Sequence, residues 1–275
     1  MLEVSLMPPM MTPLANCPRE TLAAIRGILT DIDETVSTEG RLTAAAYSAL
    51  EGLKEAGFLV IPVTGRPAGW CDHIARFWPV DAVVGENGAF WMWHEPSEGK
   101  LRTRFIQSEA ERAEGRRRLE LIRAQVLREV PDAGIASDQL YRAADLAVDF
   151  REDVAPLGDA AIARIVAIFE AHGAHAKVSS IHVNGWFGDY DKLTTSKLMM
   201  RELFGVDLEA HRQRYVFAGD SPNDSPMFGY FPNAVGMANV GDFTGRLEHQ
   251  PRWVTVARSG AGFVELARAL IEARR

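Results

Sequence analysis

Short apolar runs alternate with amphipathic stretches along the first third of the chain and again along its last third. Residues 27–30, 59–63, 82–84 and 215–218 are apolar runs bounded by polar turns, which is typical of buried strands in a parallel sheet. Residues 44–56 instead repeat their leucines with helical spacing. The alternation of strands and helices predicts an α/β fold with a doubly wound parallel sheet and right-handed crossovers.

The pattern changes in the middle of the chain. Residues 109–130 predict one long helix, and alternating runs on either side of it predict antiparallel hairpins. This stretch has the apolar positions for a core of its own. We therefore predict a core domain formed by residues 1–88 and 189–275, with a smaller α+β cap domain inserted at residues 89–188. Residues 1–18, rich in methionine and proline, are expected to form a loose tail.

Composition excludes several classes of protein. The net charge of -7 argues against a nucleic-acid-binding face, and no apolar run reaches the roughly 18 residues that a membrane span requires. The two cysteines, Cys17 and Cys71, cannot form a disulfide framework, which favours a reducing compartment. We expect a cytoplasmic protein, monomeric or homodimeric, whose partner is a small molecule rather than a nucleic acid or a membrane.

Side chains suited to phosphate and metal chemistry stand where the predicted strands end, and where a helix begins after the insertion. These residues are Asp31, Asp33, Thr64, Gly65, Lys192, Asp220, Asn223 and Asp224. In a doubly wound sheet such strand ends converge on one crevice. Carboxylates are preferred ligands of Mg²⁺, and a hydroxyl, an ammonium and backbone N–H groups bind phosphate oxygens. Each motif alone is explained by an ordinary turn or surface residue, but together and in this order they predict a phosphoryl-transfer site.

The motifs at residues 31–36, 63–66 and 219–224, with Lys192, resemble those of the haloacid dehalogenase superfamily of phosphotransferases. The long interval between the second and third motifs is where the class IIB subgroup carries an α/β cap. That subgroup includes phosphatases for sucrose phosphate, mannosylglycerate phosphate and many other sugar phosphates. Residues 85–89 and the approach to Lys192 also look like this subgroup.

The resemblance implies a Mg²⁺-dependent phosphomonoester hydrolase that acts through an aspartyl-phosphate on a sugar phosphate or a related small phosphorylated metabolite. Asp31 would be the nucleophile and Asp33 the general acid and base. Mg²⁺ would be held by Asp31, the main-chain carbonyl of Asp33 and Asp220. The other implied roles are phosphate binding by Thr64, Gly65 and Lys192, and support of the metal site by Asp224 and Asn223.

Contacts to the leaving group are expected from residues near the crevice and from the cap. The candidates are Arg66, Asn87, His182, Asn184 and Trp186. His182 and Asn184 alternate along one predicted strand and therefore share a face. An ordinary solvent-facing strand explains these two residues equally well.

Two positions leave alternatives open. Glu34 stands where the family usually has glycine, and its carboxylate either adds a hydrogen bond or points to solvent. Lys197 competes with Lys192 for the role of the family's lysine. We prefer Lys192 because it begins the predicted helix.

Two other functions fit part of the pattern. A sugar phosphomutase on the same scaffold would share every core residue and differ only in returning the phosphoryl group to the substrate. A non-enzymatic phospho-acceptor switch also surrounds Mg²⁺ with aspartate, threonine and lysine. Such receiver domains are shorter, lack an inserted cap and place their acidic pair upstream of the phosphorylated aspartate.

Overall fold

The computed structural model describes residues 11–179 and 181–275. The helices are α1 Arg19–Ala24, α2 Ala44–Glu55, α3 Ala68–Phe77, α4 Glu109–Glu129, α5 Asp159–Ala171, α6 Lys192–Phe204, α7 Leu208–His211, α8 Ser225–Tyr230 and α9 Ser259–Arg274. The strands are β1 Thr12–Pro13, β2 Gly27–Thr30, β3 Leu59–Pro62, β4 Val83–Gly85, β5 Phe90–Glu95, β6 Lys100–Phe105, β7 Gly134–Ile135, β8 Asp145–Asp149, β9 His175–Val178, β10 His182–Trp186, β11 Tyr215–Gly219, β12 Val235–Gly236 and β13 Trp253–Val254. Within the described ranges, none of the helices has both the length and the apolar character needed to cross a bilayer.

The central sheet is parallel and has the strand order β1–β13–β12–β11–β2–β3. β2 lies between β11 and β3, with Thr30 opposite Ala218 on one side and Pro62 on the other. Successive side chains of β2 face opposite layers: Ile28 packs with α2 and α9, whereas Leu29 packs with α6 and α8. The predicted α/β fold with a parallel sheet covered by helices on both faces is therefore confirmed.

Helix boundaries follow local capping signals. The Thr43 side chain accepts a hydrogen bond from the Ala46 N–H and begins α2. Asp191 and Thr194 form a capping box that begins α6 at Lys192. Gly205, with φ of 66°, ends α6 in the left-handed conformation that glycine adopts without steric cost. The start of α6 matters for function because it determines where Lys192 lies.

The hairpin β5–β6 extends the edge of the core instead of belonging to the insertion. β5 pairs with β4, and β4 adjoins the central sheet through a parallel bridge between Val63 and Val84. Trp91 of β5 is buried with Met199 of α6 in the core. The predicted boundary at residue 89 therefore separates this hairpin from the strand with which it pairs. Alternating apolar residues predict a hairpin, but they do not specify its partner.

A second sheet, antiparallel, has the strand order β7–β8–β10–β9. It packs on α4 and α5 around a separate apolar cluster that includes Ile122, Phe169 and Val183. We call β7–β10 with α4 and α5 the inserted unit. One face of its sheet carries this apolar cluster. Strand β10 also contributes residues that line a cavity beside Asp31.

The expectation of a loose N-terminal tail is wrong for residues 12–17, whereas residues 1–10 lie outside the described residues. Thr12 and Pro13 pair in parallel with Trp253 and Val254 at the edge of the central sheet. Leu14 is then almost fully buried. Proline is tolerated at a sheet edge, where its missing N–H breaks no internal pair. The short edge strand is therefore compatible with a proline-rich composition that otherwise suggests an unstructured tail.

Gly185 is predicted to allow the close packing of β10 against Phe169 in the inserted unit. In Gly185→Ala, the added methyl group would overlap the Phe169 ring, and we expect a loss of about 1–3 kcal/mol in the free energy of unfolding. The matched control is Gly115→Ala in the middle of α4, where the nearest atom to a new Cβ would be 3.9 Å away. That variant should gain about 0.5–1 kcal/mol. Urea unfolding measures both, and equal effects would contradict the packing argument.

Candidate active site

The ends of three neighbouring strands bring the predicted site together. Asp31 follows β2, Asp220 follows β11 and Thr64 follows β3. The Asp31 N–H donates to the Ala218 carbonyl oxygen at 2.8 Å, which ties the first two strand ends to each other. The geometry agrees with the expectation that the carboxyl ends of parallel strands form one crevice.

Lys192 joins this cluster from the first turn of α6. Its Nζ donates at 2.8 Å to Asp31 Oδ1 and at 2.8 Å to Asp224 Oδ1, and all three side chains are buried. Lys197, the alternative in the sequence, forms a surface ion pair with Glu209. The structure therefore brings Lys192, and not Lys197, to the carboxylates.

Burial determines the electrostatics of the cluster. Loss of solvent raises the pKa of Asp31 to about 7, although the Lys192 ammonium opposes the shift. Burial also raises the pKa of Asp220 well above its ordinary range. Burial disfavours the charge on Lys192, but the carboxylates of Asp224 and Asp31 outweigh it and raise the pKa of the lysine. The cluster thus places the charged ammonium of Lys192 beside carboxyl groups that have almost no access to solvent.

Three of these carboxylates could hold a cation. Asp31, Asp220 and Asp224 each offer an oxygen, and these oxygens lie within 4.8 Å of one another. Buried oxygen donors with no sulfur or imidazole are the set that Mg²⁺ prefers. Asp224 Oδ2 also accepts from the Asp220 N–H at 3.0 Å. The oxygen atoms of this cluster are therefore suitable ligands for Mg²⁺. Asp224 also accepts hydrogen bonds from Lys192 and from the backbone of the turn that follows β11.

Asp220 is oriented by residues that the sequence analysis did not single out. Asn239 Nδ2 donates at 3.0 Å to Asp220 Oδ2 and at 2.9 Å to the Glu34 carbonyl oxygen. Its Oδ1 accepts from the Ser259 N–H at 2.8 Å. Thr35 Oγ1 lies 3.4 Å from Asp220 Oδ1. Asn239 therefore joins the loop after Asp33 to the loop after β11, and its position between β12 and β13 gives no sequence signal of this role.

The open question about Glu34 is answered by two hydrogen bonds. Its Oε2 accepts from Ser259 Oγ at 2.9 Å and its Oε1 accepts from the Gly40 N–H at 3.3 Å. Glu34 has φ of 55°, the left-handed region that favours glycine. This backbone conformation explains why the family usually has glycine at this position. Glutamate is less favourable in this conformation, and here its side chain makes two hydrogen bonds.

Asp33 and Arg66 form a bidentate ion pair. Arg66 Nε lies 3.0 and 3.1 Å from the two Asp33 oxygens, and Nη2 lies 2.8 Å from Oδ1. The sequence suggested that Arg66 contacts substrate. In the structure its guanidinium pairs with Asp33, and with Glu152 and Asp138 of the inserted unit.

Thr64 and Gly65 lie beside the crevice with little free space around them. Thr64 is buried, and its Oγ1 accepts from the Arg66 N–H at 3.0 Å, which leaves the hydroxyl proton available. A Cβ at Gly65 would be 3.2 Å from Asn87 Nδ2, so glycine permits this close approach. Asn87 Nδ2 is buried without a hydrogen-bond partner among the described residues.

The candidate residues of β10 are buried and do not face solvent. His182 Nε2 lies 2.9 Å from Glu152 Oε2, and Asn184 Nδ2 donates at 2.9 Å to Asp145 Oδ2. Both line a cavity of about 20 Å³ beside Asp31, with Asn223 from the core. Trp186 is packed in an apolar cluster, and its Nε1 donates to a backbone carbonyl. The solvent-facing explanation is therefore wrong for His182 and Asn184.

Sequence reasoning missed a buried connection between the core and the inserted unit. Glu86, just after β4, accepts hydrogen bonds from the N–H groups of Ala68, Ala143, Ala144 and Asp145. Burial raises the pKa of Glu86 to about 7. Arg142 Nη1 donates at 3.0 Å both to the Gly65 carbonyl and to Asp145 Oδ1. Glu86 lies in a turn that the sequence singled out, but nothing local marks Arg142.

Asp33 lines two of the cavities near the site. The larger, about 510 Å³, is lined by charged side chains, among them Asp33, Arg66, Glu152 and Asp220. The smaller one beside Asp31, about 20 Å³, has room for one water molecule. Asp31 is only 4% exposed. A phosphoryl group can therefore reach Asp31 only if the surrounding side chains or the inserted unit move.

Comparison with known proteins supports this fold. Residues 28–113 match a family model described as haloacid dehalogenase-like hydrolase. No curated protein sequence matches the chain significantly. The match to the family model confirms the resemblance seen in the sequence motifs and, with it, the prediction of a hydrolase.

Several solved structures share the fold at low identity. A protein from Thermoplasma acidophilum has a TM-score of 0.63 and 18% identity, over 90% of this chain and 98% of that one. The sucrose-phosphatase from Synechocystis, solved with sucrose and phosphate, has a TM-score of 0.61 and 14% identity, over 90% and 98% of the two chains. The C-terminal domain of trehalose-6-phosphate phosphatase from C. albicans has a TM-score of 0.70 and 13% identity, over 95% and 98%.

Lys192→Met should destabilise the protein by about 3–5 kcal/mol, because it leaves Asp31 and Asp224 buried without their cation. The pKa of Asp31 is already raised to about 7 and would rise further. A carboxyl group whose pKa is higher in the folded than in the unfolded protein contributes to the free energy of unfolding when the pH is below its pKa in the unfolded state. This contribution is lost as the pH rises through its pKa in the folded state. The deficit should therefore be larger at about pH 8 than at about pH 5.

Urea unfolding in the presence of EDTA measures this difference. Lys197→Met is the control, because Lys197 pairs with Glu209 at the surface and its loss should cost less than about 1 kcal/mol. Equal losses for the two lysine variants would contradict the buried cluster.

Proposed function

We propose that the protein is a Mg²⁺-dependent phosphomonoester hydrolase that acts through an aspartyl-phosphate on a sugar phosphate or a related small phosphorylated metabolite. The observation that carries this proposal is the buried cluster in which Lys192 bridges Asp31 and Asp224, with Asp220 alongside. A nucleophilic carboxylate, a fixed cation and further oxygen donors within one small volume are what phosphoryl transfer requires.

In the first step, an Asp31 oxygen forms a bond to phosphorus as the bond from phosphorus to the leaving oxygen breaks. Asp33, which takes up a proton before this step, gives that proton to the leaving oxygen, so the substrate departs as an alcohol. The Lys192 ammonium and the Thr64 hydroxyl bind the phosphoryl oxygens, over which negative charge is spread. Lys192 is already fixed by two hydrogen bonds and needs little reorganisation.

In the second step, Asp33 accepts a proton from a water molecule, whose oxygen bonds to phosphorus while the bond to Asp31 breaks. Inorganic phosphate leaves and the Asp31 carboxylate is regenerated. When bound, Mg²⁺ would neutralise negative charge on the phosphoryl group. Asp31, Asp220 and the Asp33 carbonyl would hold it, and Asp224 would orient Lys192.

A sugar phosphate is the substrate class that the surroundings favour. The cavity of about 510 Å³ beside Asp33 is lined mainly by carboxylates and guanidinium groups, which can bind hydroxyl groups by hydrogen bonds. Structures with the same fold include a sucrose-phosphatase and a trehalose-6-phosphate phosphatase. A class IIB cap formed by the inserted unit would cover this cavity.

Asp31→Asn should reduce phosphate release by at least about 10⁴-fold, because an amide cannot form the covalent intermediate. The assay is release of inorganic phosphate from a panel of hexose and disaccharide phosphates with Mg²⁺ present. Asp72→Asn, an exposed residue paired with Arg76, is the control and should retain full activity. Substantial turnover by Asp31→Asn would refute the nucleophile, and interconversion of sugar phosphates without release would indicate the mutase.

Removal of divalent metal should stop phosphate release reversibly, since the carboxylates around Asp31 would then repel a phosphate group. The measurement is activity after treatment with EDTA and after readdition of Mg²⁺. A protein that is fully active in EDTA would contradict a metal site at Asp31 and Asp220.

A further inference from the structure

Arg66 connects Asp33 in the core to two carboxylates of the inserted unit. Besides its bidentate pair with Asp33, its Nη2 lies 3.3 Å from Glu152 Oε1 and its Nη1 lies 3.6 Å from Asp138 Oδ2. Asp138 lies between β7 and β8, and Glu152 follows β8. One guanidinium thus faces three carboxylates, one from the core and two from the inserted unit.

The Arg66 side chain has little freedom to adopt another position. It is 4% exposed, and its guanidinium carbon lies 4.2 Å from the centre of a Trp70 ring. This stacking contact adds to the ion pairs. The Arg66 backbone N–H is also bound by Thr64 Oγ1. Both the main chain and the side chain of Arg66 are therefore held in place by contacts.

Glu152 is positioned by the loop that follows β8. Asp149, itself buried, accepts from the N–H groups of Arg151 and Glu152 through Oδ1, at 2.8 and 2.7 Å. Its Oδ2 accepts from the Asp153 N–H at 2.8 Å. On the far side, His182 and then Arg66 lower the pKa of Glu152 to about 2. The loop therefore presents an ionised carboxylate to Arg66.

Asp33 depends on this arginine for its orientation. Its side chain is 22% exposed, and among the described residues its hydrogen-bond partner is Arg66 alone. A carboxyl group that must first give and then accept a proton has to be aligned with the leaving oxygen, and small misplacements are costly. Without the bidentate pair, the Asp33 side chain would be free to rotate.

We propose that Arg66 is a positioning residue for the general acid and base Asp33, and that Glu152 and Asp138 of the inserted unit are needed to keep it in place. The inference rests on the proposed function. It assigns Arg66 to Asp33 rather than to the substrate. Asp33 is therefore aligned while Glu152 and Asp138 of the inserted unit remain in contact with Arg66.

The leaving group of the substrate tests this proposal. A simple alkyl phosphate needs a proton on its leaving oxygen, whereas p-nitrophenyl phosphate releases a stable phenolate and needs none. Glu152→Gln, which does not touch Asp33, should lower kcat/KM for the alkyl phosphate at least about 10-fold and for p-nitrophenyl phosphate less than about 3-fold. Because kcat/KM covers only the steps up to departure of the leaving group, the later role of Asp33 as base does not obscure the result.

Two further variants and one control variant strengthen the test. Arg66→Lys keeps the charge but loses the bidentate geometry, so it should show a wider split between the two substrates. The double variant with Glu152→Gln should lose no more than Arg66→Lys alone, since both changes remove the same alignment. Asp153→Asn is the matched control, because among the described residues only its backbone N–H makes a hydrogen bond in this loop, and it should behave like the unmodified protein.

The outcomes separate the two proposals. Equal losses on both substrates, or no loss on either, would overturn the positioning role while leaving the hydrolase intact. If Glu152→Gln does not fold, as judged by circular dichroism, Asp138→Asn removes the second carboxylate and must give the same split. A protein that releases phosphate from neither substrate, nor from any sugar phosphate, would overturn the proposed function and this inference with it.

Discussion

The buried contact of Lys192 with Asp31 and Asp224 is the interaction on which the candidate site depends. Two carboxylates at this depth repel each other and lose hydration, and an ammonium 2.8 Å from each one offsets part of that cost. Lys192 can reach both because Asp191 begins α6 at this point. The capping residue that precedes Lys192 thus helps to determine whether the charges at the strand ends can coexist.

A second constraint is the contact between the core and the inserted unit. Glu86 and Arg142 make buried hydrogen bonds across it, and Arg66 extends the contact to Asp33. Fixed ion pairs of this kind define one arrangement more strictly than apolar packing does, because their geometry is directional. In this arrangement Asp31 has almost no access to solvent.

The elements of the fold were largely predictable from apolar periodicity. The helix predicted to begin at Lys192 does begin there, and the strand predicted at residues 27–30 is observed as well. These patterns are local, and burial on two faces leaves few alternatives for them. The sequence analysis assigned the hairpin β5–β6 to the insertion and the residues of β1 to a loose tail, because strand pairing is decided by distant residues.

The sequence by itself determined the strand ends, their carboxylates and the helix that begins at Lys192, since each rests on a short run of residues. Only the tertiary structure decided which groups meet. It paired Arg66 with Asp33, brought Glu152 and Asp138 to the same guanidinium, and placed Asn239 against Asp220. These contacts join residues far apart in the chain, and their energies depend on burial and direction, which no local pattern encodes.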